Sequence, residues 1–227
     1  MTPRSHSGAP AGKTAGAARP YPVKKSRHAA FVRLGERFDR AVDYAVEAHR
    51  EQARKSSPVP YLAHLFGVTS LVLEYGGEED QAIAGLLHDT LEDCGSEHAP
   101  VIEAAFGTGV LELVRACSDW EAPAGAGGKP PWRPRKEAYI AHLDELGPGH
   151  PGLLVSAADK LHNARSIRAD LRQQGLSVWD RFNQPAPEQG WYYRSLVEAF
   201  TRLLPGPLTD ELRRTVEDIL RIDRALN

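Results

Sequence analysis

The feature that most constrains this sequence is an apolar segment, residues 81–91, that ends in four ionisable side chains. Apolar residues recur in it at three- and four-residue spacing, which predicts a buried helix. His88 and Asp89 lie in its last turns, and Glu92 and Asp93 follow directly. On a continuing helix, His88 and Glu92 share a face, as do Asp89 and Asp93, and Asp89 and Glu92 are also neighbours at i,i+3 spacing. Because ionisable side chains are costly to bury without a partner, the cluster predicts a divalent-metal site rather than solvated charges at a helix end.

Two residues from distant parts of the chain complete a predicted ligand set. His64 stands at the start of a predicted helix, and Asp159 is an acid embedded in the mostly apolar segment 153–163. Together with His88 and Asp89 they offer two neutral nitrogens and two carboxylates, whose charge cancels that of a divalent ion. Imidazole and carboxylate ligands without thiolate favour Mn²⁺, Fe²⁺ or Zn²⁺. Such a set leaves positions of an octahedral shell open for water and a phosphate oxygen.

Three stretches of the chain carry a resemblance to a known family. They are residues 54–64 (Arg-Lys-Ser through Pro-Tyr-Leu-Ala-His), residues 86–93 (Leu-Leu-His-Asp-Thr-Leu-Glu-Asp) and residues 158–166 (Ala-Asp-Lys-Leu-His-Asn-Ala-Arg-Ser). In these stretches the chain resembles the HD phosphohydrolase superfamily, and within it the hydrolase domain of RelA/SpoT proteins. Single-domain small alarmone hydrolases, the metazoan SpoT homologue type, share the same pattern. The likeness covers residues 38–167 and fades toward the C-terminus.

The helical periodicity predicts an all-α fold, and the resemblance specifies an HD-domain helical bundle of about eight to ten helices. It implies one divalent metal ion, with Mn²⁺ as the first choice. It also implies that Glu92 and Asp93 are the catalytic carboxylates, which orient the metal-bound water, accept its proton and protonate the leaving ribose oxygen. Which of the two does each task stays open. The implied metal ligands are His64, His88, Asp89 and Asp159.

The resemblance implies substrate contacts at two further stretches. Arg54 would lie over the base, a role that suits a planar guanidinium, and Lys55 would meet phosphate with the Ser56 hydroxyl beside it. Asn163 and Ser166 would contact ribose and phosphate from one helix face. The family usually has Thr where Ser166 stands, and the alternative for Ser166 is a polar surface residue. For Arg54 and Lys55 the alternative is a solvated helix C-terminus.

The implied activity is metal-dependent hydrolysis of the 3′-pyrophosphate of guanosine alarmones. The enzyme would convert ppGpp or pppGpp to GDP or GTP plus pyrophosphate. One alternative is an HD phosphatase that acts on another phosphorylated nucleotide or cofactor, with the same metal ligands. The other is a non-catalytic nucleotide-sensing module, against which the presence of both Glu92 and Asp93 argues. Synthesis of alarmone is not expected, because no sequence is left for a synthetase domain.

Composition bounds the partners and the compartment. The net charge of −2 lacks the basic excess that nucleic-acid binding needs. Two cysteines are too few for a disulfide framework, and no apolar run approaches the length of a membrane span. We therefore expect a cytoplasmic enzyme of the stringent response with a small nucleotide substrate and no nucleic-acid or membrane partner. The oligomeric state is not defined by these features.

The chain divides into a tail and one domain. Residues 1–27 are rich in Gly, Ala, Pro and Ser and contain no acid, which predicts a disordered basic tail. Residues 28–227 are expected to form a single HD hydrolase domain with a C-terminal helical extension. The Gly- and Pro-rich segment 120–134 is predicted to be a loop, either a lid over the 5′ phosphates or an ordinary surface loop. Aromatic residues in segments 179–182 and 191–194 are expected to pack in the interior rather than to stack on a base.

Overall fold

The computed structural model describes residues 31–119 and 129–227, and Val32–Asn227 form one compact unit. Within these ranges the chain forms ten α-helices and one 3₁₀-helix, and no strand. An isolated antiparallel bridge joins Ala53 to Pro60. The predicted all-α class is confirmed, whereas the predicted tail of residues 1–27 lies outside the described residues.

The helices follow the apolar periodicity of the sequence, and their boundaries fall where glycine, proline or polar residues interrupt it. The bounds, in chain order, are α1 Glu36–Ala48, α2 Leu62–Glu74, α3 Glu79–Leu87, α4 Thr90–Asp93, α5 His98–Phe106, α6 Thr108–Cys117, α7 Trp132–Leu146, α8 Gly152–Gln174, the 3₁₀-helix Gly175–Arg181, α9 Ala186–Leu203 and α10 Pro207–Leu226. Among the described residues, no helix combines the length and the apolar character that crossing a bilayer requires.

The expectation of one continuous helix through the four ionisable residues is wrong. Helix α3 ends at Leu87 and α4 begins at Thr90, so that His88 and Asp89 form a turn between them. The cause is the His88 side chain, whose Nδ1 donates to the carbonyl oxygen of Gly85 at 2.9 Å. In a continuing helix that oxygen accepts the amide proton of Asp89. The turn therefore separates His88 and Asp89 from the two acids that follow.

The predicted loop 120–134 is shorter at its C-terminal end than expected. Residues 120–128 lie outside the described residues, and α7 already begins at Trp132. Pro134 falls in the first turn of α7, where the missing amide proton has no intrahelical acceptor to lose. The proline therefore belongs to the start of the helix rather than to the loop.

Helix α8 lies at the centre of the bundle and packs against α2, α3, α6 and α10. Its buried positions fall on more than one face, from Leu153 and Val155 to Leu161 and Leu171. Asp159, in the middle of this helix, is consequently buried in the core at 4% exposure. Helices α2 and α3 also pack against each other, which brings the segments that carry the predicted histidine ligands next to α8.

The C-terminal helix α10 packs along α8 and is part of the same compact unit. Its apolar face includes Leu212, which is fully buried. Between the helices, the carboxylate of Glu211 accepts hydrogen bonds from Arg165 of α8 and from the Tyr75 hydroxyl at the end of α2. The C-terminal helix α10 thus contributes to the core.

This packing predicts a clear difference between two leucines of α10. Leu212→Ala should lower the free energy of unfolding by about 2–5 kcal/mol, because it removes a buried side chain and leaves a cavity. Leu226 is 47% exposed, so Leu226→Ala should change stability by no more than about 0.5 kcal/mol. Denaturant unfolding of the two variants measures the difference. Equal effects would contradict the described packing of α10.

Candidate metal centre and active-site cavity

The four predicted metal ligands converge on one point in the core. His64 comes from α2, Asp159 from α8, and His88 and Asp89 from the turn between α3 and α4. The Nε2 atom of His88 lies 2.9 Å from Asp89 Oδ2 and 3.7 Å from Asp159 Oδ1. The Nε2 atom of His64 lies 3.2 Å from Asp159 Oδ1 and 3.5 Å from Asp89 Oδ2. Two imidazole nitrogens therefore face two carboxylate oxygens.

The hydrogen bonding of the two imidazoles tests whether a metal ion fits. Neither Nε2 atom has a hydrogen-bond partner within the described residues, although both are buried. The other ring nitrogens are engaged, His88 Nδ1 by Gly85 and His64 Nδ1 by His162 Nδ1 at 2.9 Å. When Nδ1–H donates, Nε2 carries a lone pair instead of a proton. The buried Nε2 atoms and the carboxylate oxygens that they face are then all electron-pair donors, and a cation between them would satisfy both kinds of group. Ligand atoms of His64, His88 and Asp89 lie within 4.8 Å of one another, a spacing that fits one ion.

Neighbouring side chains hold both carboxylates in place. The Tyr61 hydroxyl donates to Asp89 Oδ2 at 2.6 Å. Asn163 Nδ2 donates to Asp159 Oδ1, and Lys160 Nζ donates to Asp159 Oδ2, each at 2.6 Å. Outer contacts of this kind orient metal ligands and limit their movement. The sequence indicated Asn163, but not Tyr61 or Lys160, as part of the site.

The two carboxylates of the cluster attract positive charge, which either a metal ion or protons on the imidazoles can supply. Burial alone would lower the pKa of His88, but the Asp89 and Asp159 carboxylates raise it well above its usual value. Burial alone would raise the pKa of Asp89, but the His88 and His64 imidazoles lower it well below its usual value. A metal ion and protons thus compete for the same place, because metal binding requires neutral imidazoles.

The two acids of α4 lie in the wall of a cavity beside this cluster. Glu92 accepts a hydrogen bond from Lys129 Nζ at 2.8 Å, and Asp93 accepts one from Gln52 Nε2 at 2.7 Å. Burial, together with the Asp119 and Asp89 carboxylates, raises the pKa of Glu92 to about 7. Burial and the Asp89 carboxylate raise the pKa of Asp93 as well.

A second cluster of charges, which the sequence did not reveal, lies near Glu92. Asp119, just after α6, pairs with Arg135 and Lys136 in the first turns of α7. Burial alone would raise the pKa of Asp119, but the Lys136 ammonium, with Lys160 and Arg135, lowers it to about 2. The Asp119 carboxylate therefore stays ionised beside Glu92. The one sequence signal that could have indicated this cluster is Asp119 itself, an acid at the end of an apolar helix.

The cavity has a volume of about 890 Å³ and a strongly cationic wall. Aromatic side chains line it too, including Phe182, Tyr192 and Tyr193. They come from the two segments predicted to pack, and Tyr192 and Tyr193 are buried in the core as well as lining the cavity. Cations and aromatic faces together suit a phosphorylated ligand with a flat ring. The Lys and Arg residues of the wall are Arg54, Lys55, Lys129, Arg135, Lys136, Lys160 and Arg181.

The structure brings four of the five predicted substrate contacts to this cavity. Arg54 donates to Asn163 Oδ1 at 2.7 Å, and its guanidinium lies 5.6 Å from the centre of the Tyr61 ring. Lys55 Nζ donates to Asn183 Oδ1 at 3.0 Å. Ser166 Oγ donates to a backbone carbonyl of the preceding turn of α8 at 3.2 Å.

Ser56, the fifth predicted contact, is placed differently. It is exposed, has a φ of +56°, and is not among the described residues that line the cavity. Its neighbour Ser57 lines the cavity, and its hydroxyl oxygen accepts a hydrogen bond from the Val59 amide at 3.2 Å. The left-handed backbone at Ser56 turns the chain, so that the next hydroxyl along the loop faces inward.

Comparisons with known proteins all point to one family. The HD domain family model matches residues 41–186, more than half of the chain. The guanosine-3′,5′-bis(diphosphate) 3′-pyrophosphohydrolase MESH1 of Xenopus tropicalis is 33% identical over 131 residues, 56% of this chain and 68% of that protein. The bifunctional (p)ppGpp synthase/hydrolase SpoT of Escherichia coli K12 is 30% identical over 146 residues, 61% of this chain but 20% of that longer protein.

Two solved structures are similar in fold. One, described as a metazoan ortholog of SpoT that hydrolyzes ppGpp, has a TM-score of 0.63 at 23% identity and covers 86% of this chain and 99% of its own. The other, lmo0812 from Listeria monocytogenes EGD-e, has a TM-score of 0.58 at 29% identity and covers 70% of this chain and 99% of its own. Both likenesses agree with the helical architecture described above.

The contact between α2 and α8 depends on Gly67. A Cβ built at this position would lie 2.2 Å from His162 Nε2, so α2 leaves no room there for a side chain. His162 is the partner of His64 Nδ1, and burial, with the nearby His64 and Arg54, lowers its pKa to about 4. A neutral His162 can accept the Nδ1 proton of His64 and thereby keep the His64 Nε2 lone pair directed at the carboxylates.

Gly67→Ala should therefore displace His162 and weaken metal binding by about 10–100-fold, the usual cost of losing such an outer contact. Titration calorimetry of Mn²⁺ into chelator-treated protein measures the affinity, and circular dichroism checks the helix content. Gly109→Ala in α6 is the matched control, because the nearest heavy atom to its Cβ is 4.0 Å away. Equal Mn²⁺ affinity in the two variants would contradict the role given to Gly67.

Proposed function

The chain belongs to the HD domain family, and on that basis we propose that it hydrolyses the 3′-pyrophosphate of guanosine alarmones. It would convert ppGpp or pppGpp to GDP or GTP plus pyrophosphate. The observation that carries this proposal is the buried His and Asp cluster beside a cation-lined cavity whose wall includes Glu92 and Asp93. The name of the Xenopus tropicalis relative supports the choice of substrate.

We assign one divalent ion to the buried cluster, with Mn²⁺ as the first choice. His64, His88, Asp89 and Asp159 would hold it, since two imidazoles and two carboxylates suit such an ion. When bound, the ion would act as a Lewis acid that polarises a phosphoryl oxygen and lowers the pKa of a coordinated water. The protein contributes ligand orientation through the hydrogen bonds of Tyr61 and other neighbours.

We assign proton transfer to Glu92 and Asp93, which lie in the cavity wall directly after the ligand turn. A carboxyl group whose pKa is about 7 accepts and releases a proton readily near neutral pH, which suits Glu92 for such a role. Asp93, held by Gln52, is placed on the same short helix. One of them would take the proton of the attacking water and one would protonate the leaving oxygen.

The cavity wall supports the proposal of a polyanionic substrate. Arg54 is proposed to contact the base and Lys55 a phosphate, with Asn163 and Ser166 at the ribose and phosphate; all four line the cavity. For the hydroxyl predicted at Ser56, the neighbouring Ser57 is the better candidate, because it faces the cavity. Cations on several sides of the cavity offset the charge of phosphates, on which phosphoryl-transfer rates depend.

The activity is proposed for residues 28–227 as one hydrolase domain. Helix α9 supports this extent, because Gln189, Tyr192 and Tyr193 line the cavity. We place the reaction in the cytoplasm, as a step that lowers alarmone levels in the stringent response. The free thiols of Cys94 and Cys117 support a reducing compartment.

The proposal is tested by metal-dependent turnover. Chelator-treated protein should not hydrolyse ppGpp, and added Mn²⁺ should restore release of GDP and pyrophosphate. His88→Ala should lose both bound metal and activity, whereas His142→Ala, a matched control with a half-exposed histidine, should keep both. Full activity of the metal-free protein would refute the metal assignment. Hydrolysis of another phosphorylated nucleotide, with none of ppGpp, would favour the alternative HD phosphatase.

The charges around Glu92 make a prediction about pH dependence. Asp119→Asn removes a carboxylate that raises the pKa of Glu92 and leaves Arg135 and Lys136 less compensated. The pKa of Glu92 should then fall, and the limb of the kcat/KM profile that reports it should move to lower pH by about one unit. Asp144→Asn, an exposed acid paired with Arg202, is the control and should move neither limb. An unmoved profile in Asp119→Asn would show that Glu92 does not govern that limb.

A further inference from the structure

The loop between α1 and α2 is closed by backbone contacts that bring its two ends together. Tyr61 N donates to Gln52 O at 2.9 Å, and Arg54 N donates to Val59 O at 2.8 Å, beside an isolated bridge. Gln52 and Tyr61 are consequently held as neighbours. Tyr61 contacts the ligand Asp89, so the same closed loop reaches the metal cluster.

The side chain of Gln52 connects this loop to α4. Its Nε2 donates to Asp93 Oδ2 at 2.7 Å, and its Oε1 lies 2.5 Å from His49 Nδ1. An amide side chain can present either its oxygen or its nitrogen, and the partner decides which. The Asp93 carboxylate can only accept, so the NH₂ group of Gln52 faces it, and the amide oxygen is left to accept from His49 Nδ1–H.

His49 is itself fixed on every side. It is buried at 1% exposure at the end of α1. Its Nε2 lies 3.3 Å from Thr90 Oγ1, which assigns the acceptor role to Nε2 when the hydroxyl donates. Its ring stacks on Tyr61 with centroids 5.4 Å apart and an interplanar angle of 19°. A buried histidine that is no metal ligand thus contacts both the loop and the helix of the two acids.

We propose that Gln52 is a positioning residue for Asp93, and that His49 fixes the orientation of the Gln52 amide. This inference rests on the proposed function, because it gives Asp93 a role in the reaction. A neutral amide orients one carboxylate oxygen and adds no charge beside it. Glu92, in contrast, is held by the Lys129 ammonium. The two acids of α4 therefore receive different kinds of partner.

The first test separates positioning from binding. Gln52→Leu should lower kcat for ppGpp by about 10–100-fold, the usual effect of losing a hydrogen bond to a charged group, with KM and metal content unchanged. Gln52→Glu keeps the length of the side chain but has no donor and places a like charge beside Asp93. The kcat of this variant should therefore fall at least as far. Gln173→Leu, an exposed glutamine on α8, is the control and should match wild type. Unchanged kcat in Gln52→Leu would overturn the proposal.

A double-mutant cycle tests whether Gln52 acts through Asp93. In the Asp93→Asn background, Gln52→Leu should cause no further loss of kcat, because the residue it positions has already lost its charge. If the double variant instead lost kcat by the product of the two single-variant losses, the two residues would act independently and the proposal would be overturned. His49→Phe keeps a ring stacked on Tyr61 but removes the Nδ1 donor, and it should reproduce part of the Gln52→Leu loss. Wild-type kcat in His49→Phe would overturn the part given to His49.

A measurement on metal-free protein keeps this inference separate from the proposed function. The hydrogen bond from Gln52 lowers the pKa of Asp93, so its loss in Gln52→Leu should raise the midpoint of the Asp93 carboxyl titration, followed by ¹³C NMR. An unmoved midpoint would overturn the contact without any assay of turnover. Absence of ppGpp hydrolysis by the wild type would refute the proposed function, while the titration would still decide whether Gln52 holds Asp93.

Discussion

Two buried imidazole nitrogens face two carboxylates at the centre of this molecule, and the surrounding packing holds them there. Each charge taken out of water costs several kcal/mol unless a partner compensates it. His64 and His88 cannot satisfy their Nε2 atoms within the described residues, which leaves a cation as the natural partner. Since the four predicted ligands come from α2, α8 and the turn after α3, a cation bound there would also fasten these segments together. Binding of the proposed ion would therefore be coupled to the packing of the core.

Much of this centre could be predicted because its signals are local in the sequence. An apolar run that ends in His88 and Asp89 indicates burial and ligation at once, and the acid within the apolar segment of α8 indicates Asp159. Helical periodicity fixed the fold class for the same reason, since it depends on spacing within single helices. The turn at His88 was missed, because it arises from a side chain that competes for the Gly85 carbonyl.

The remainder of the site could not be predicted, because it depends on contacts between residues far apart in the chain. Lys129 reaches Glu92 across 37 positions, and Gln52 reaches Asp93 across 41. No spacing rule connects such pairs, and each member alone resembles an ordinary polar surface residue. The placement of Ser56 was missed for another reason, since a single left-handed residue decides which of two adjacent serines faces the cavity.

The environments of Glu92 and Asp93 explain how adjacent acids on one short helix can differ in chemistry. Glu92 lies between the half-exposed Lys129 ammonium and the buried, ionised Asp119, so charges of both signs act on its proton. Asp93 meets a neutral amide whose direction is fixed by a buried imidazole. Environments that differ in this way separate the proton affinities of paired carboxyl groups, and enzymes use that separation to divide acid from base. The residues that make the two environments different lie outside the metal cluster: Gln52 on the α1–α2 loop, His49 just before it, Asp119 just after α6 and Lys129 just before α7.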